Sequence, residues 1–149
     1  MIILRWILTY VAAIVGGSIA MMALHTLSGM LVPEAAMDQL PQGDINAMKL
    51  HIEQLPFSAK ASVLLSHWLG TASGAAIAAA LAPVSETWLL KPSRILVTLP
   101  GWIMGVWFLI GGIANAAMIP MPTWMVAADL VGYIPMAFVA SHLVMQLRA

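Results

Sequence analysis

The stretch Thr123–Leu147, TWMVAADLVGYIPMAFVASHLVMQL, is apolar and long enough to cross a lipid bilayer. It contains Asp129, the only acidic residue in any of the chain's long apolar segments. An ionisable side chain in hydrocarbon costs roughly 2.5–3.5 kcal/mol on insertion scales, so it should face protein or water rather than lipid. We therefore predict that other segments of the chain supply polar partners for Asp129.

The composition of the whole chain agrees with a lipid environment. Of 149 residues, 62% are hydrophobic and only 8% are charged, whereas a soluble domain carries about 25% charged residues. The net charge is zero, which argues against nucleic acid as a partner. Cysteine is absent, which excludes disulfides, a thiolate nucleophile and cysteine metal ligands. These features predict a single integral membrane domain over residues 1–149.

Three further apolar segments resemble the last one in length. We predict an all-α membrane protein, a four-transmembrane-helix bundle with a short outer amphipathic helix. The connection before Thr123 is short, which makes the last two crossings antiparallel neighbours. The predicted crossings are residues 6–32, 58–83, 95–119 and 123–147, and residues 33–57 form the outer segment.

The outer segment carries the signature of a short helix. Asp44 follows a glycine and is a favourable N-cap. Apolar residues then recur at helical spacing, with polar residues on the opposite side. The apolar stripe consists of Ile45, Met48, Ile52 and Leu55.

Glycines and prolines within the crossings predict where helices pack closely and where they bend. Gly70 and Gly74 form a GxxxG match, which favours close approach of another helix. The pair Pro100-Gly101 predicts a bend in the first half of the third crossing. Pro135 predicts a kink in the fourth.

Polar groups recur at similar depth in all four crossings. Counted from the outer helix ends at 1.5 Å per residue, they lie about 8–13 Å deep. We predict that they form one connected layer, in which Asp129 is bonded to a histidine. The layer serves either as a hydrogen-bonded core that fixes helix register or as a ligand or ion site. Its members are His25, His67, Asn115 and Asp129.

The chain resembles a family of small, mostly bacterial four-helix membrane proteins of uncharacterised function. The resemblance rests mainly on the stretch from Asn115 to Trp124, Asn-Ala-Ala-Met-Ile-Pro-Met-Pro-Thr-Trp, and on Pro33, Leu55-Pro56 and the small residues from Gly70 to Gly74. His25 stands in the zone where that family has an acidic residue in its first helix. The resemblance implies the four-helix fold and a bacterial inner membrane location, and it implies no particular activity.

The residues leave several functions open. Our first hypothesis is a non-enzymatic protein without a cofactor, either an accessory or interaction subunit or a bundle that binds a lipid or small ligand. The alternatives are a proton- or ion-coupled transport component and an intramembrane metal site using His25, His67 and Asp129. A hydrolytic set would combine Asp129 and a histidine with Ser66 or Ser73. The expected partners are the lipid bilayer and a second copy or a larger membrane complex.

The distribution of basic residues predicts the orientation. On one side lie Arg5, Lys91, Arg94 and Arg148, and on the other lie Lys49 and Lys60. Basic residues favour the cytoplasmic side, so we expect both termini in the cytoplasm and residues 33–57 outside. Reporter fusions after Met48 and Lys91 test this topology. If a reporter that works only in the periplasm is active when fused after Lys91, the predicted topology is wrong.

Overall fold

The computed structural model describes residues 1–33, 41, 43–83 and 98–148, which form five helices and no strand. Four of the helices are long and apolar enough to cross a membrane, as the sequence predicts. The short helix α2 precedes the second of them. The helices are α1 (Ile2–Leu31), α2 (Ile45–Gln54), α3 (Phe57–Leu81), α4 (Leu99–Met118) and α5 (Thr123–Arg148).

Helix α3 is the centre of the bundle, because it contacts α1, α4 and α5. Its buried residues are mostly small, whereas the large apolar residues of the other helices are mostly on the outside. This distribution is typical of helices that pack in lipid, where small side chains let backbones approach and large ones face the acyl chains. Helices α4 and α5 also pack against each other, as their short connection predicts.

Glycines set the distance between α1 and α3, the most extensive helix contact. A Cβ atom at Gly70 would lie 2.6 Å from Met21 Cβ and 3.2 Å from the carbonyl oxygen of Gly17. A Cβ at Gly74 would lie 3.0 Å from the carbonyl oxygen of Ala13. The GxxxG pair therefore lies where the α1 backbone comes closest, in agreement with the sequence prediction.

Helix α2 begins at the predicted cap. The Asp44 carboxylate accepts hydrogen bonds from the amides of Asn46 and Ala47, at 2.9 and 3.0 Å. Only the C-terminal part of the predicted apolar stripe packs against the bundle: Ile52 is buried, whereas Ile45 is 69% exposed. Helix α2 thus covers one end of the bundle through its last turn.

The predicted bend at Pro100 is wrong. The described part of α4 begins at Leu99, so Pro100 occupies the first helical turn rather than the helix interior. The first turn tolerates proline, because its amide groups have no partner within the helix. Residues 95–97 of the predicted crossing lie outside the described part of the chain. Pro135, by contrast, lies inside the continuous helix α5.

Side chains from two helices complete the end of α3 opposite α2. The last carbonyls of a helix have no intrahelical partner. Here Arg148 donates to the carbonyl oxygens of Ala79 and Ala82. The Thr9 hydroxyl shares its one hydrogen between the carbonyl oxygens of Arg5, at 2.8 Å, and Leu81, at 3.2 Å. The positive guanidinium also interacts favourably with the helix C-terminus. These bonds hold α1 and α5 to the same end of α3.

The close contact of α1 and α3 leads to a stability prediction. Gly70→Ala forces Met21 to move, and we expect the protein to lose about 1–3 kcal/mol, the usual cost of overpacking. The measurement is thermal unfolding in detergent. Gly111→Ala is the matched control, because a Cβ there meets no atom within 4 Å. Equal unfolding midpoints for the two variants would contradict the proposed packing.

Candidate functional site

The centre of the candidate site is a bonded pair between α3 and α5. His67 Nδ1 lies 2.9 Å from Asp129 Oδ1 and 3.0 Å from Oδ2. Both side chains are buried, with His67 7% and Asp129 1% exposed. The structure therefore joins Asp129 to one of the two candidate histidines, as the sequence analysis predicts, and the partner is His67.

Tyr133 is a third member of this cluster that the sequence analysis missed. Its hydroxyl donates to Asp129 Oδ2 at 3.1 Å, from one helical turn further along α5. Gly112 makes room for the ring, because a Cβ there would lie 2.8 Å from the Tyr133 hydroxyl oxygen. The signal was available in the sequence, since Tyr133 follows Asp129 by four residues, the spacing that places two side chains on one helix face.

The hydrogen bonds assign roles to the two His67 ring nitrogens. With Asp129 as a carboxylate, which only accepts hydrogen bonds, Nδ1 carries the hydrogen that is directed at Asp129. The other nitrogen, Nε2, has no hydrogen-bond partner among the described residues. Asp129 thus fixes the orientation of the imidazole ring, and Nε2 remains for an interaction with another group.

His25 lies beside His67 without joining its hydrogen bonds. The two imidazole centroids are 5.1 Å apart, with the rings edge to face at 74°. His25 Nδ1 is buried, and no hydrogen-bond partner for it lies in the described ranges. The predicted layer is thus brought together in part, as a bonded pair with a second histidine in ring contact.

A cleft of about 450 Å³ lies next to these histidines, at the end of the bundle that α2 covers. Asn115 lines the same cleft, whereas Asp129 lies behind His67. Lys60, a residue that the sequence analysis did not assign to the site, also lines it. Most of the lining is apolar. The described lining residues are Ser18, Met21, His25, Ile52, Leu55, Lys60, Val63, His67, Trp107, Phe108, Gly111, Gly112, Asn115, Ile119, Met121, Met125 and Tyr133.

The serines of the hydrolytic hypothesis bond elsewhere. Ser66 Oγ donates to the carbonyl oxygen of Ser62 at 2.9 Å and lies 3.4 Å from Ser28 Oγ. Ser73 Oγ donates to the carbonyl oxygen of Leu69 at 2.8 Å. Neither hydroxyl is hydrogen-bonded to a histidine within the described ranges, so the structure does not assemble a Ser–His–Asp set from these serines.

The metal hypothesis also finds no ligand set in the described part of the chain. There, no group of three His, Cys, Asp or Glu side chains is arranged to hold a metal ion. His25 and His67 approach each other through ring contact, and Asp129 is directed at His67 Nδ1. The arrangement is that of an oriented histidine beside a cleft.

Comparisons with protein families, curated proteins and solved structures find no match for this chain. The resemblance based on the Asn115–Trp124 stretch therefore stays a prediction.

The pairing of His67 with Asp129 predicts a spectroscopic signature. A proton on Nδ1 that is directed at a carboxylate is strongly deshielded, because the bond is charge-assisted. We expect a downfield imidazole proton resonance in protein with ¹⁵N-labelled histidine, and we expect Asp129→Asn to shift it upfield or remove it. Tyr133→Phe, which keeps the carboxylate, should retain it. A resonance unaffected by Asp129→Asn would contradict the pairing.

Proposed function

We propose that this chain is a multi-pass integral membrane protein that binds a small lipid-soluble molecule in the cleft beside His67. One observation carries the proposal: the cleft of about 450 Å³ is mostly apolar and has an imidazole of fixed orientation in its wall. Small-molecule sites typically measure about 300–1,000 Å³ and combine an apolar lining with a few placed polar groups.

The polar groups of the cleft favour a ligand with a polar part as well as an apolar one. His67 Nε2 and the Asn115 side chain have no hydrogen-bond partner among the described residues. A ligand in the cleft can hydrogen-bond to these two groups, while its apolar part fits against the aromatic and methionine side chains.

Binding explains the geometry better than transport through the bundle does. From Phe108 and Tyr133 at the site, an apolar cluster continues between α1, α3, α4 and α5 towards the end where Arg148 bonds. The nearby polar residues Thr71 and Ser141 bond to carbonyls of their own helices, at 2.8 Å each. A pathway for protons or ions needs polar groups or water along its length. The cluster consists of Ala13, Ala75, Ala78, Met104, Phe108, Tyr133 and Ala137.

Membrane placement and orientation belong to the same proposal. Four helices of 20–30 residues give the bundle the length that a bilayer requires. The basic residues favour a cytoplasmic location for both termini, and the family resemblance favours a bacterial inner membrane. The cleft then lies in the outer half of the membrane, beneath α2.

The accessory-subunit hypothesis assigns the outer surface of the bundle to a protein partner. The outside of the bundle is rich in large apolar residues, and such a surface suits acyl chains and membrane protein partners equally. Native mass spectrometry after mild extraction from the original membrane separates the two. A retained small molecule supports ligand binding, and stoichiometric co-purification of a larger protein without a small molecule supports the accessory role.

A variant that fills the cleft tests the ligand site directly. Gly111 lines the cleft, and a Cβ there meets no atom within 4 Å, so Gly111→Leu is designed to add a large side chain to the cleft wall. We expect native mass spectra of this variant to show at least tenfold less retained small molecule than the wild type, because the ligand loses its space.

Ala117→Leu is the matched control, since it adds a side chain at an exposed position of the same helix that does not line the cleft. Its spectra should equal those of the wild type. Equal retention by Gly111→Leu and wild type would rule out the cleft as the binding site. Absence of any retained molecule from the wild-type spectra would contradict ligand binding.

A further inference from the structure

The charged group that lines the cleft is a donor. Lys60 presents three ammonium hydrogens, whereas Asn115 offers both an amide NH₂ group and an amide oxygen, and Nε2 of a neutral His67 ring accepts. Asp129 is close in space but lies behind His67, where its carboxylate accepts from Nδ1 and from the Tyr133 hydroxyl. The described lining residues include no aspartate and no glutamate. The described lining therefore has no carboxylate that would repel an anionic ligand.

Lys60 gives the cleft a charge as well. It is the one Lys, Arg, Asp or Glu side chain among the described residues that line the cleft. Its ammonium donates one hydrogen bond, to the carbonyl oxygen of Glu53 at 3.0 Å, so two hydrogens have no partner within the described ranges. The Glu53 carboxylate is directed elsewhere, 4.0 Å from Lys49 Nζ. An unpaired cation at the edge of an apolar cleft favours an anion at that position.

The position of Lys60 shows which part of a ligand it would meet. Lys60 lies in the first turn of α3, next to α2, and His67 lies two turns further in, about 10 Å along the helix. Val63, which lies between them on α3, also lines the cleft, as do Met21 of α1 and Phe108 of α4. The charged group therefore lies at the α2 end of the lining, and apolar residues continue the lining further along α3. Such an arrangement matches a molecule with an acidic head and an apolar tail.

We infer that the ligand of the cleft is an amphiphile with an acidic headgroup, which Lys60 binds at the mouth while the tail enters towards His67. This inference rests on the proposed function and adds the chemical class of the ligand. Its basis is the charge complementarity between an anionic head and the lining, together with the apolar character of the interior. In the proposed orientation the first turn of α3 lies at the outer end of the helix, the level at which an amphiphile of the outer leaflet has its headgroup.

Short-chain lipids that differ only in the headgroup test this inference. Full-length protein in a neutral detergent is titrated with dihexanoyl phosphatidylglycerol and with dihexanoyl phosphatidylcholine, and bound lipid is counted by native mass spectrometry. We expect the anionic lipid to bind about tenfold more tightly, the effect of one charge-assisted hydrogen bond. Inorganic phosphate, a head without a tail, should not compete at equal concentration.

Two lysine variants test whether Lys60 causes the preference for the anionic lipid. Lys60→Gln should lower the affinity for the anionic lipid about tenfold and leave that for the zwitterionic lipid unchanged. Lys49→Gln is the matched control, because Lys49 is an exposed lysine of α2 that does not line the cleft. It should leave both affinities unchanged. Equal affinity for the two lipids, no effect of Lys60→Gln, or competition by phosphate alone would each overturn the inference.

The two proposals fail in different ways in this experiment. If both lipids bind equally and Gly111→Leu still blocks them, the cleft binds amphiphiles without regard to charge, and only the inference about the headgroup falls. If neither lipid binds to the wild type, or if Gly111→Leu binds both as the wild type does, the cleft is not the lipid site. In that case the proposed function falls as well.

Discussion

The structure depends on how a buried carboxylate is satisfied inside an apolar bundle. Asp129 is 1% exposed, and its oxygens accept from His67 and Tyr133. Removing one partner of such a buried pair costs several kcal/mol, because the remaining group keeps its desolvation cost. The pair therefore fixes the register of α3 against α5 at the depth of the site. The backbone oxygen of Asp129 strengthens this register by accepting from Trp68 Nε1 at 3.3 Å.

Glycines allow the same polar groups to come together. Gly17 and Gly70 bring α1 close to α3, and this approach holds the His25 ring against that of His67. Gly112 leaves room on α4 for Tyr133, whose hydroxyl completes the shell of Asp129. The site is thus a product of close backbone packing, which in lipid takes the place of the hydrophobic effect as the source of helix association. Helices α1 and α4 touch each other only slightly, and the cleft occupies the space between them.

The sequence predicted the parts of this arrangement that depend on local pattern. The length of the apolar segments predicted the four long helices, and Asp44, as an N-cap, predicted the start of α2. The cost of burying Asp129 required a partner, but two histidines at similar depth were available. Asp129 pairs with His67 rather than His25 because α5 packs against α3. This is tertiary packing, which the local sequence pattern does not show. Lys60 was not assigned to the site for the same reason, since its exposure to the cleft depends on the position of α2.

The same cluster differs from a purely structural core in what it leaves unbonded. A hydrogen-bonded core is most stable when every member is satisfied, since an incomplete network is less favourable than an apolar one. Here the side of His67 that faces Asp129 is satisfied, whereas its Nε2 and the buried His25 Nδ1 have no partner among the described residues. Both belong to residues that line the cleft. Register alone requires only the bonded side of His67, so Nε2 is the part of the cluster that the proposed ligand would use.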